Sequence, residues 1–317
     1  MSAEHPIAGA VAPVPKAVSY LRLGKARIYH YVYGWALGLV LLHTDGIAVN
    51  TRAVPLALLL VGILAFQWST SAADDICGFL DGSDARNYAG RPAITRVRKP
   101  LLTGALTLPE ATRFAVVAWC AGLAAILLAA ASLGWHVPLP ALAVAVLTPA
   151  LAVQYSCGVK LSYRPLGLES TVLFTGAYTV FVPYWFVTAT LSPTTLLVSA
   201  LVGLWLLLVV AYGNASDQQG DRAVSRRTLA VLLPPAWFAA MLHLLVLTNA
   251  VLLVLLSTAL RRPDLILLTA PVTGLQLAQL YFGVYRRELR KARFLVLVSI
   301  DIGSVALATA LLTSRSP

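Results

Sequence analysis

The sequence predicts an all-α membrane protein with nine transmembrane helices, and three observations favour this fold class. Hydrophobic residues make up 59% of the 317 residues, charged residues make up 12%, and the mean hydropathy is +0.79. Apolar stretches long enough to cross a hydrocarbon core of about 30 Å as helices recur along the chain. The run 201–210 is apolar on every side, whereas strands of a membrane barrel alternate apolar and polar positions.

The first predicted helix follows a basic segment, 1–27, that lacks the apolar region of a signal peptide. We expect this segment to be a cytoplasmic arm and 28–317 to be a single transmembrane domain. The second helix ends at a group of aspartates, the fifth begins at Glu169, and the sixth ends at a second group of aspartates. In chain order, the nine predicted helices cover 28–45, 52–72, 111–133, 138–155, 169–190, 195–213, 237–259, 264–284 and 294–313.

The distribution of basic residues predicts the orientation in the membrane. With nine spans and a cytoplasmic N-terminus, 20 of the 24 Lys and Arg residues fall on the cytoplasmic side, and the C-terminus lies outside. Topology therefore accounts for most of the net charge of +11, and these residues are not interleaved with aromatics in a nucleic-acid-binding motif. We expect a multi-pass protein of the cell membrane that contacts lipid and binds no nucleic acid.

The three cysteines, Cys77, Cys120 and Cys157, lack the spacing of a metal site or of a disulfide framework. Two of them fall inside or beside the face that the basic residues assign to the cytoplasm, where thiols stay reduced. We therefore expect all three to be free thiols.

Six of the thirteen acidic residues form two clusters, which is notable because carboxylates near a bilayer are costly and need partners. The first cluster follows the second helix at 74–84, and the second follows the sixth helix at 217–221. If the second helix continues through its cluster, Asp74 and Asp81, together with Asp84, lie on one side and Asp75 is turned away. At the second cluster, Asn214, Asp217 and Asp221 have the spacing of a single helix face.

Like charges so close repel one another unless something positive lies between them. Carboxylate oxygens suit Mg²⁺, which usually binds one or two carboxylates together with substrate phosphates. Basic residues in the same loops complement the remaining phosphate oxygens. The clusters therefore predict a magnesium and diphosphate site. Its candidate metal ligands are Asp74, Asp75, Asp81, Asp84, Asp217 and Asp221.

Two sequence motifs point to a family. The stretch Lys99-Pro-Leu-Leu-Thr-Gly, preceded by Arg91-Pro, follows the first cluster, and Asp217-Gln-Gln-Gly-Asp221 is followed by Arg-Thr-Leu-Ala-Val. Tyr155 and Lys160 follow the fourth helix. In these features nearly the whole chain resembles the UbiA superfamily of intramembrane prenyltransferases. The resemblance implies nine helices around a central cavity.

The first cluster departs from the NxxxDxxxD motif of this superfamily. Aligned on Asp81, it has Ala73 and Cys77 where the family has asparagine and aspartate. We expect Asp75 or Asp84 to compensate.

The resemblance also assigns roles to individual residues. It implies that Mg²⁺ ions held by aspartates of both motifs stabilise the departing diphosphate, helped by basic side chains. The candidate catalytic residues are Asp74, Asp81, Asp217, Asp221, Lys160 and Tyr155. The candidate substrate- and cofactor-binding residues are Arg91, Lys99, Arg222 and Asn214.

The predicted function is Mg²⁺-dependent transfer of a prenyl group from a prenyl diphosphate to a small-molecule acceptor, with an aromatic or quinone-precursor ring as the leading candidate. One alternative is a terpene cyclase on the same scaffold, in which the prenyl cation closes on itself. The other is a transporter, which would usually carry broken helices at mid-membrane depth rather than acid clusters at one face.

Overall fold

The computed structural model describes residues 15–89 and 97–314, and in these ranges the regular structure is helical. These ranges also contain 3₁₀ turns at Val49–Arg52 and Leu161–Tyr163 and a π-helical turn at Tyr281–Tyr285. The α-helices of the described ranges are α1 (Lys16–Leu23), α2 (His30–Thr44), α3 (Ala53–Leu80), α4 (Ser83–Tyr88), α5 (Leu108–Ser132), α6 (Leu139–Val153), α7 (Gly167–Thr188), α8 (Pro193–Ala223), α9 (Leu229–Leu232), α10 (Pro235–Leu260), α11 (Asp264–Leu280) and α12 (Leu289–Thr313).

Each of the nine predicted membrane segments coincides with a helix, so the all-α membrane prediction is confirmed. In the described part of the chain, seven helices are long and apolar enough to cross a membrane. The remaining two, α2 and α6, have 15 residues each. At a rise of 1.5 Å per residue, such a helix is about 22 Å long, which is shorter than the hydrocarbon core. The chain is a multi-pass membrane protein.

Helix α8 lies at the centre of the bundle. Leu201–Val209 are buried without interruption, which explains why the sequence there is apolar on every side. The helix packs against α7, α10 and α12, and the buried Trp205 indole donates a hydrogen bond to Asn249 on α10 at 2.7 Å. A buried donor without such a partner would be costly in an apolar core.

Helices α7 and α8 approach each other closely at two glycines. A Cβ atom on Gly203 would lie 2.3 Å from the carbonyl oxygen of Leu173, and a Cβ on Gly176 would lie 2.8 Å from the Cα of Gly203. Small residues allow membrane helices to pack backbone against backbone. The contact fixes α7 as a wall of the bundle.

Two helices extend past their predicted ends and carry the acid clusters. Helix α3 continues from the predicted end at 72 to Leu80, and α8 continues from 213 to Ala223. The apolar runs stop earlier than the helices because the last turns of each helix are polar. Gly82, with a φ of +72°, then turns the chain from α3 into α4.

The described part of the basic arm packs on the bundle. Leu23 in α1 is fully buried in a small apolar cluster with Ala72, Leu101 and Ala111. The Arg22 guanidinium donates a hydrogen bond to the carbonyl oxygen of Val97 at 3.3 Å. The segment after α1 is thereby held against the end of α3, where Lys25 meets the first acid cluster.

Candidate functional site

Asp74 is the centre of a polar network at the end of α3. Its Oδ2 atom lies 2.8 Å from the Lys25 ammonium, and its Oδ1 atom accepts a hydrogen bond from the Ser156 hydroxyl at 2.5 Å. The Arg226 guanidinium approaches Oδ1 at 3.6 Å. Three segments far apart in the sequence therefore converge on one carboxylate. Opposite charges raise the pKa of Lys25 and of Arg226 although burial alone would lower both.

Asp75 belongs to the same network through two lysines, although it does not line the cavity beside Asp74 that is described below. Asp75 is 1% exposed, and its Oδ1 atom lies 2.8 Å from the Lys99 ammonium and 3.6 Å from the Lys25 ammonium. Lys99 also contacts Asp84 at 2.8 Å. Helix geometry alone suggested that Asp75 points away, but two lysines from other segments reach across to it. Burial would lower the pKa of Lys99, but the carboxylates of Asp75, Asp84 and Asp74 outweigh it and raise this pKa.

Asp81 caps the C-terminus of α3 and faces a third group of partners. Its Oδ1 atom accepts a hydrogen bond from the Ser83 amide at 2.9 Å, and its Oδ2 atom accepts one from the Tyr163 hydroxyl at 3.0 Å. The Lys160 ammonium lies 3.9 Å from Oδ2. Burial alone would raise the pKa of Asp81, but these hydrogen bonds outweigh it and lower the pKa below its usual range.

The loop after α6 supplies Tyr155, Ser156, Lys160 and Tyr163. Backbone hydrogen bonds from Leu161 to Gln154 and from Ser162 to Tyr155, at 3.0 and 2.9 Å, fold this loop back on itself. Lys160 has a φ of +52°, a conformation that side chains other than glycine adopt rarely. The fold of the loop thus places Tyr155 and Lys160 on the same side of the molecule as the first acid cluster, as predicted.

Cys77 and Cys157 form a disulfide, so the prediction of three free thiols is wrong for these two residues. Their Cα atoms are 5.8 Å apart, although 80 residues separate them in the sequence. The bond joins α3, one turn after Asp74, to the loop that carries Tyr155 and Ser156. Sequence spacing could not reveal this pair because the two segments meet only in the folded chain. Cys120 is a free and exposed cysteine, as predicted.

The second acid cluster lies on the last two turns of α8. Asp221 is 3% exposed, Asp217 is half-buried, and Arg222 is exposed at the end of the helix. Arg226 lies 3.6 Å from Asp74, and its charge also acts on Asp221, so the loop after α8 brings the second cluster near the first. Asn214 lies on the same face of α8, as predicted, but it lines a different cavity, described below. Arg91 lies outside the described residues.

A cavity of about 200 Å³ opens beside Asp74. Its walls come from α3, α6 and α7 and from the segment that leads into α2. Polar side chains lie on the Asp74 face of α3, at the spacing of one helix face, and aromatic and aliphatic side chains line much of the remainder. The lining includes Gln67, Thr70, Ser71, Tyr155, Tyr31, Ile63, Phe66 and Tyr178.

The carboxylates fit a divalent cation only together with a substrate. Among the described residues, no group of three His, Cys, Asp or Glu side chains is arranged to hold a metal ion. The carboxylates of Asp74, Asp81, Asp217 and Asp221 are hard oxygen donors of the kind that Mg²⁺ prefers. A cation bound here would take one oxygen from each of several aspartates and complete its shell with phosphate oxygens and water.

Sequence reasoning did not assign a site role to four side chains of the network. Lys25 was counted only as part of the basic arm, and no pattern separates it from its basic neighbours. Arg226 lies in the basic loop after the second cluster, and the sequence does not indicate its direct contact with Asp74. Ser156 and Tyr163 contact Asp74 and Asp81 in the folded chain, but nothing in their sequence positions indicates a role in the site.

Known proteins resemble this chain in sequence and in fold. The sequence pattern of the UbiA prenyltransferase family matches residues 32–300. No curated protein matches the sequence.

Several solved structures have a similar fold. A digeranylgeranylglyceryl phosphate synthase has a TM-score of 0.64 at 16% identity, with 94% of this chain and 99% of that chain covered. A UbiA homologue from Aeropyrum pernix K1 also has a TM-score of 0.64 at 16% identity, with 96% and 100% covered. A UbiA homologue from Archaeoglobus fulgidus bound to GPP and Mg²⁺ has a TM-score of 0.60 at 12% identity, with 93% and 99% covered. At these identities the likeness shows the fold alone.

Proposed function

Because this chain belongs to the UbiA prenyltransferase family, we propose that it transfers a prenyl group from a prenyl diphosphate to a small-molecule acceptor and releases diphosphate. The observation that carries this proposal is the position of Asp74. This residue lines the mouth of the cavity and is also the centre of the network of cations and carboxylates. A diphosphate at the network and a prenyl chain in the cavity would place the breaking bond between them.

The diphosphate would meet basic side chains from three described segments. Lys25 and Arg226 already surround Asp74, and Lys160 stands beside Asp81. Their ammonium and guanidinium groups complement the negative charge that grows on the leaving oxygen as the carbon–oxygen bond breaks. Arg91, Lys99 and Arg222 are further candidates from the sequence motifs. Of these, Lys99 is engaged by Asp75 and Asp84, so we assign it to holding the first cluster together.

Magnesium, when bound, would stabilise the negative charge of the leaving diphosphate. The residues proposed to hold the metal ion are Asp74, Asp81, Asp217 and Asp221. Asp75 and Asp84 neutralise Lys99, so we place them behind the metal ligands rather than among them. The A. fulgidus homologue bound to GPP and Mg²⁺ supports the choice of ion.

The prenyl chain would lie in the cavity against Ile63, Phe66 and Tyr178. Tyr31 and Tyr155 also line the cavity. Their aromatic rings would stabilise an allylic cation by cation–π interaction. The aromatic and aliphatic part of the lining would also limit the access of water to the cation. The cavity thereby directs the cation toward an acceptor.

The proposed acceptor is an aromatic or quinone-precursor ring. Gln67, Thr70 and Ser71 are spaced along the face of α3 that leads to Asp74. Hydroxyl and amide groups at these positions can orient polar substituents of a ring beside the reacting carbon. For the orientation in the membrane, we propose that the network faces the cytoplasm, as the distribution of basic residues indicates. The Cys77–Cys157 disulfide would then be an exception to the rule that cytoplasmic thiols stay reduced.

Product analysis tests the proposal. The purified full-length protein in detergent would be incubated with radiolabelled geranyl, farnesyl or geranylgeranyl diphosphate and Mg²⁺, with and without a panel of aromatic acceptors. A labelled product that forms only with an acceptor supports the transferase. A hydrocarbon product without any acceptor would instead identify a cyclase, and the absence of any turnover would contradict both enzymes.

A further inference from the structure

A second cavity, of about 280 Å³, lies between α7, α8, α9 and the start of α10. We call it the α7–α10 cleft. Its lining is almost entirely apolar and includes Leu173, Leu207, Phe238 and Met241. The polar side chains in its lining are Glu169, Ser170 and Asn214. The hydroxyl of Ser170 is already used because it donates a hydrogen bond to the carbonyl oxygen of Leu166 at 2.7 Å.

The α7–α10 cleft is distinct from the cavity beside Asp74. Helix α7 separates the two, and no residue lines both. Leu166, Glu169, Ser170 and Leu173 face the cleft, at the spacing of one helix face. Thr171, Val172, Thr175, Tyr178 and Thr179 face the first cavity from the opposite side of the helix. The two cavities are therefore separate, although the polar end of the cleft lies near Asp221, whose charge interacts with that of Glu169.

Glu169 provides the polar end of the cleft and is 6% exposed. Its Oε1 atom accepts a hydrogen bond from the Leu229 amide at 2.7 Å. Its Oε2 atom is buried and has no hydrogen-bond partner in the described part of the chain. A buried carboxyl oxygen without a partner costs free energy, so this atom calls for a hydrogen-bond donor from outside the described residues.

The surroundings restrict the chemistry of that donor. The apolar walls favour a ligand with a hydrocarbon chain. Without such a ligand, nearly all of the lining surface would be in contact with water or with loosely packed lipid. A carboxylate head would be repelled by Glu169. An ammonium head would lose its hydration shell in the cleft. It would also be repelled by Arg226 and Arg227, which lie in the loop just before the lining residue Leu229. A neutral hydroxyl can donate one hydrogen bond without either cost.

We propose that the α7–α10 cleft binds one single-chain lipid alcohol, whose hydroxyl donates a hydrogen bond to Glu169 Oε2 and whose chain lies against Leu207 and Met241. The site goes beyond the proposed function, because it lies across α7 from the reaction cavity. Phe238, Met241 and Leu245 lie on one face of α10 and form a continuous apolar wall for the hydrocarbon chain of the lipid.

Binding of a defined probe tests this site directly. Hexadecanol carrying a diazirine would be added to the purified full-length protein in detergent, and photo-crosslinks would be mapped by mass spectrometry. Competition by unlabelled hexadecanol would give its affinity. We expect crosslinks at the lining of the cleft, and about tenfold weaker competition by hexadecyl methyl ether, which cannot donate a hydrogen bond.

A matched pair of substitutions on α10 provides the control. Met241→Trp fills the cleft and is expected to abolish these crosslinks. Leu244→Trp adds the same side chain at a position that is 59% exposed and outside the cleft, and it is expected to preserve them. A thermal midpoint close to that of the unmodified protein would confirm that both variants are folded.

Two results would overturn the proposal. Equal crosslinking of the two variants, or equal competition by the alcohol and the ether, would show only the ordinary contact of lipid with a membrane helix. Preferred competition by hexadecylamine or palmitate over hexadecanol would assign the cleft to a different head group. Because the readout is binding, neither result depends on whether the chain transfers prenyl groups.

Discussion

The Lys99 ammonium lies 2.8 Å from Asp75 Oδ1, and both side chains are nearly fully buried. Asp84 contacts the same ammonium at 2.8 Å from the other side. One lysine therefore pairs with two carboxylates of the first cluster. This arrangement holds α4 against the end of α3 and leaves Asp74 and Asp81 to face the cavity and the loop after α6.

Replacing Lys99 by methionine is expected to destabilise the protein strongly. The change keeps most of the side-chain volume but leaves Asp75 and Asp84 buried without their shared partner. Removing one member of a buried ion pair typically costs about 3–5 kcal/mol. The shift of the thermal midpoint of the purified protein measures the effect.

Two variants serve as controls for Lys99→Met. Lys16→Met breaks the ion pair with Glu110, in which the lysine side chain is 71% exposed, and is expected to change the midpoint little. Adding Asp75→Asn to Lys99→Met should recover part of the loss, because it removes one of the uncompensated charges. A midpoint for Lys99→Met equal to that of the unmodified protein would show that the network is not needed for stability.

Asp81 makes stability depend on pH in the acid range. Its pKa in the folded protein lies below the usual value, so its ionised form is stabilised by folding. That contribution is complete above the unfolded pKa of about 3.9 and is lost as the pH falls through the lower folded value. The midpoint difference between the unmodified protein and Asp81→Asn is therefore expected to shrink below about pH 4.

Thermal midpoints of the unmodified protein and Asp81→Asn, measured from about pH 7 to about pH 3, test whether their difference shrinks as the pH falls. Tyr163→Phe removes the hydrogen bond from the Tyr163 hydroxyl to Asp81 Oδ2 and should reduce the same acid-dependent difference. A difference that stays constant or grows as the pH falls would contradict the assignment of a lowered pKa to Asp81.

The disulfide predicts the number of reactive thiols. Under denaturing conditions without a reductant, alkylation should modify one cysteine per chain, Cys120, and after reduction it should modify all three. Intact-protein mass spectrometry counts the modified residues. Three modified cysteines before reduction would show that Cys77 and Cys157 are not bonded in the purified protein.

Loss of the disulfide is also expected to weaken the site. The bond joins segments 80 residues apart, and such crosslinks typically contribute about 2–4 kcal/mol to stability. Cys77→Ser should therefore lower the thermal midpoint and reduce turnover, because it frees the loop that carries Ser156 and Tyr155. Cys120→Ser, at an exposed position, is the matched control and should change neither.

The helices were predictable from the sequence, and much of the site was not. A stretch such as 201–210 must be a buried helix because it is apolar on all sides, and the structure confirms this. Asp217 and Asp221 were recognisable because their motif is local in sequence. Lys25 could not be assigned to the site in this way, since its role depends on where α1 places it against α3. The ion pairs of Asp75 and the pairing of Cys77 with Cys157 likewise depend on contacts between distant segments.

The central claim is that aspartates of both clusters and a divalent cation act together on a prenyl diphosphate. The most direct test is diphosphate release from geranylgeranyl diphosphate and the proposed acceptor, with Mg²⁺ and with excess EDTA. The proteins to compare are the unmodified chain, Asp74→Asn, Asp221→Asn and Asp264→Asn, whose exposed residue pairs with Arg262 at the other end of the helices. We predict release by the unmodified protein and Asp264→Asn only with Mg²⁺, and a loss of at least about 100-fold in the other two variants. Release that persists in EDTA, or full activity of Asp74→Asn and Asp221→Asn, would contradict the account.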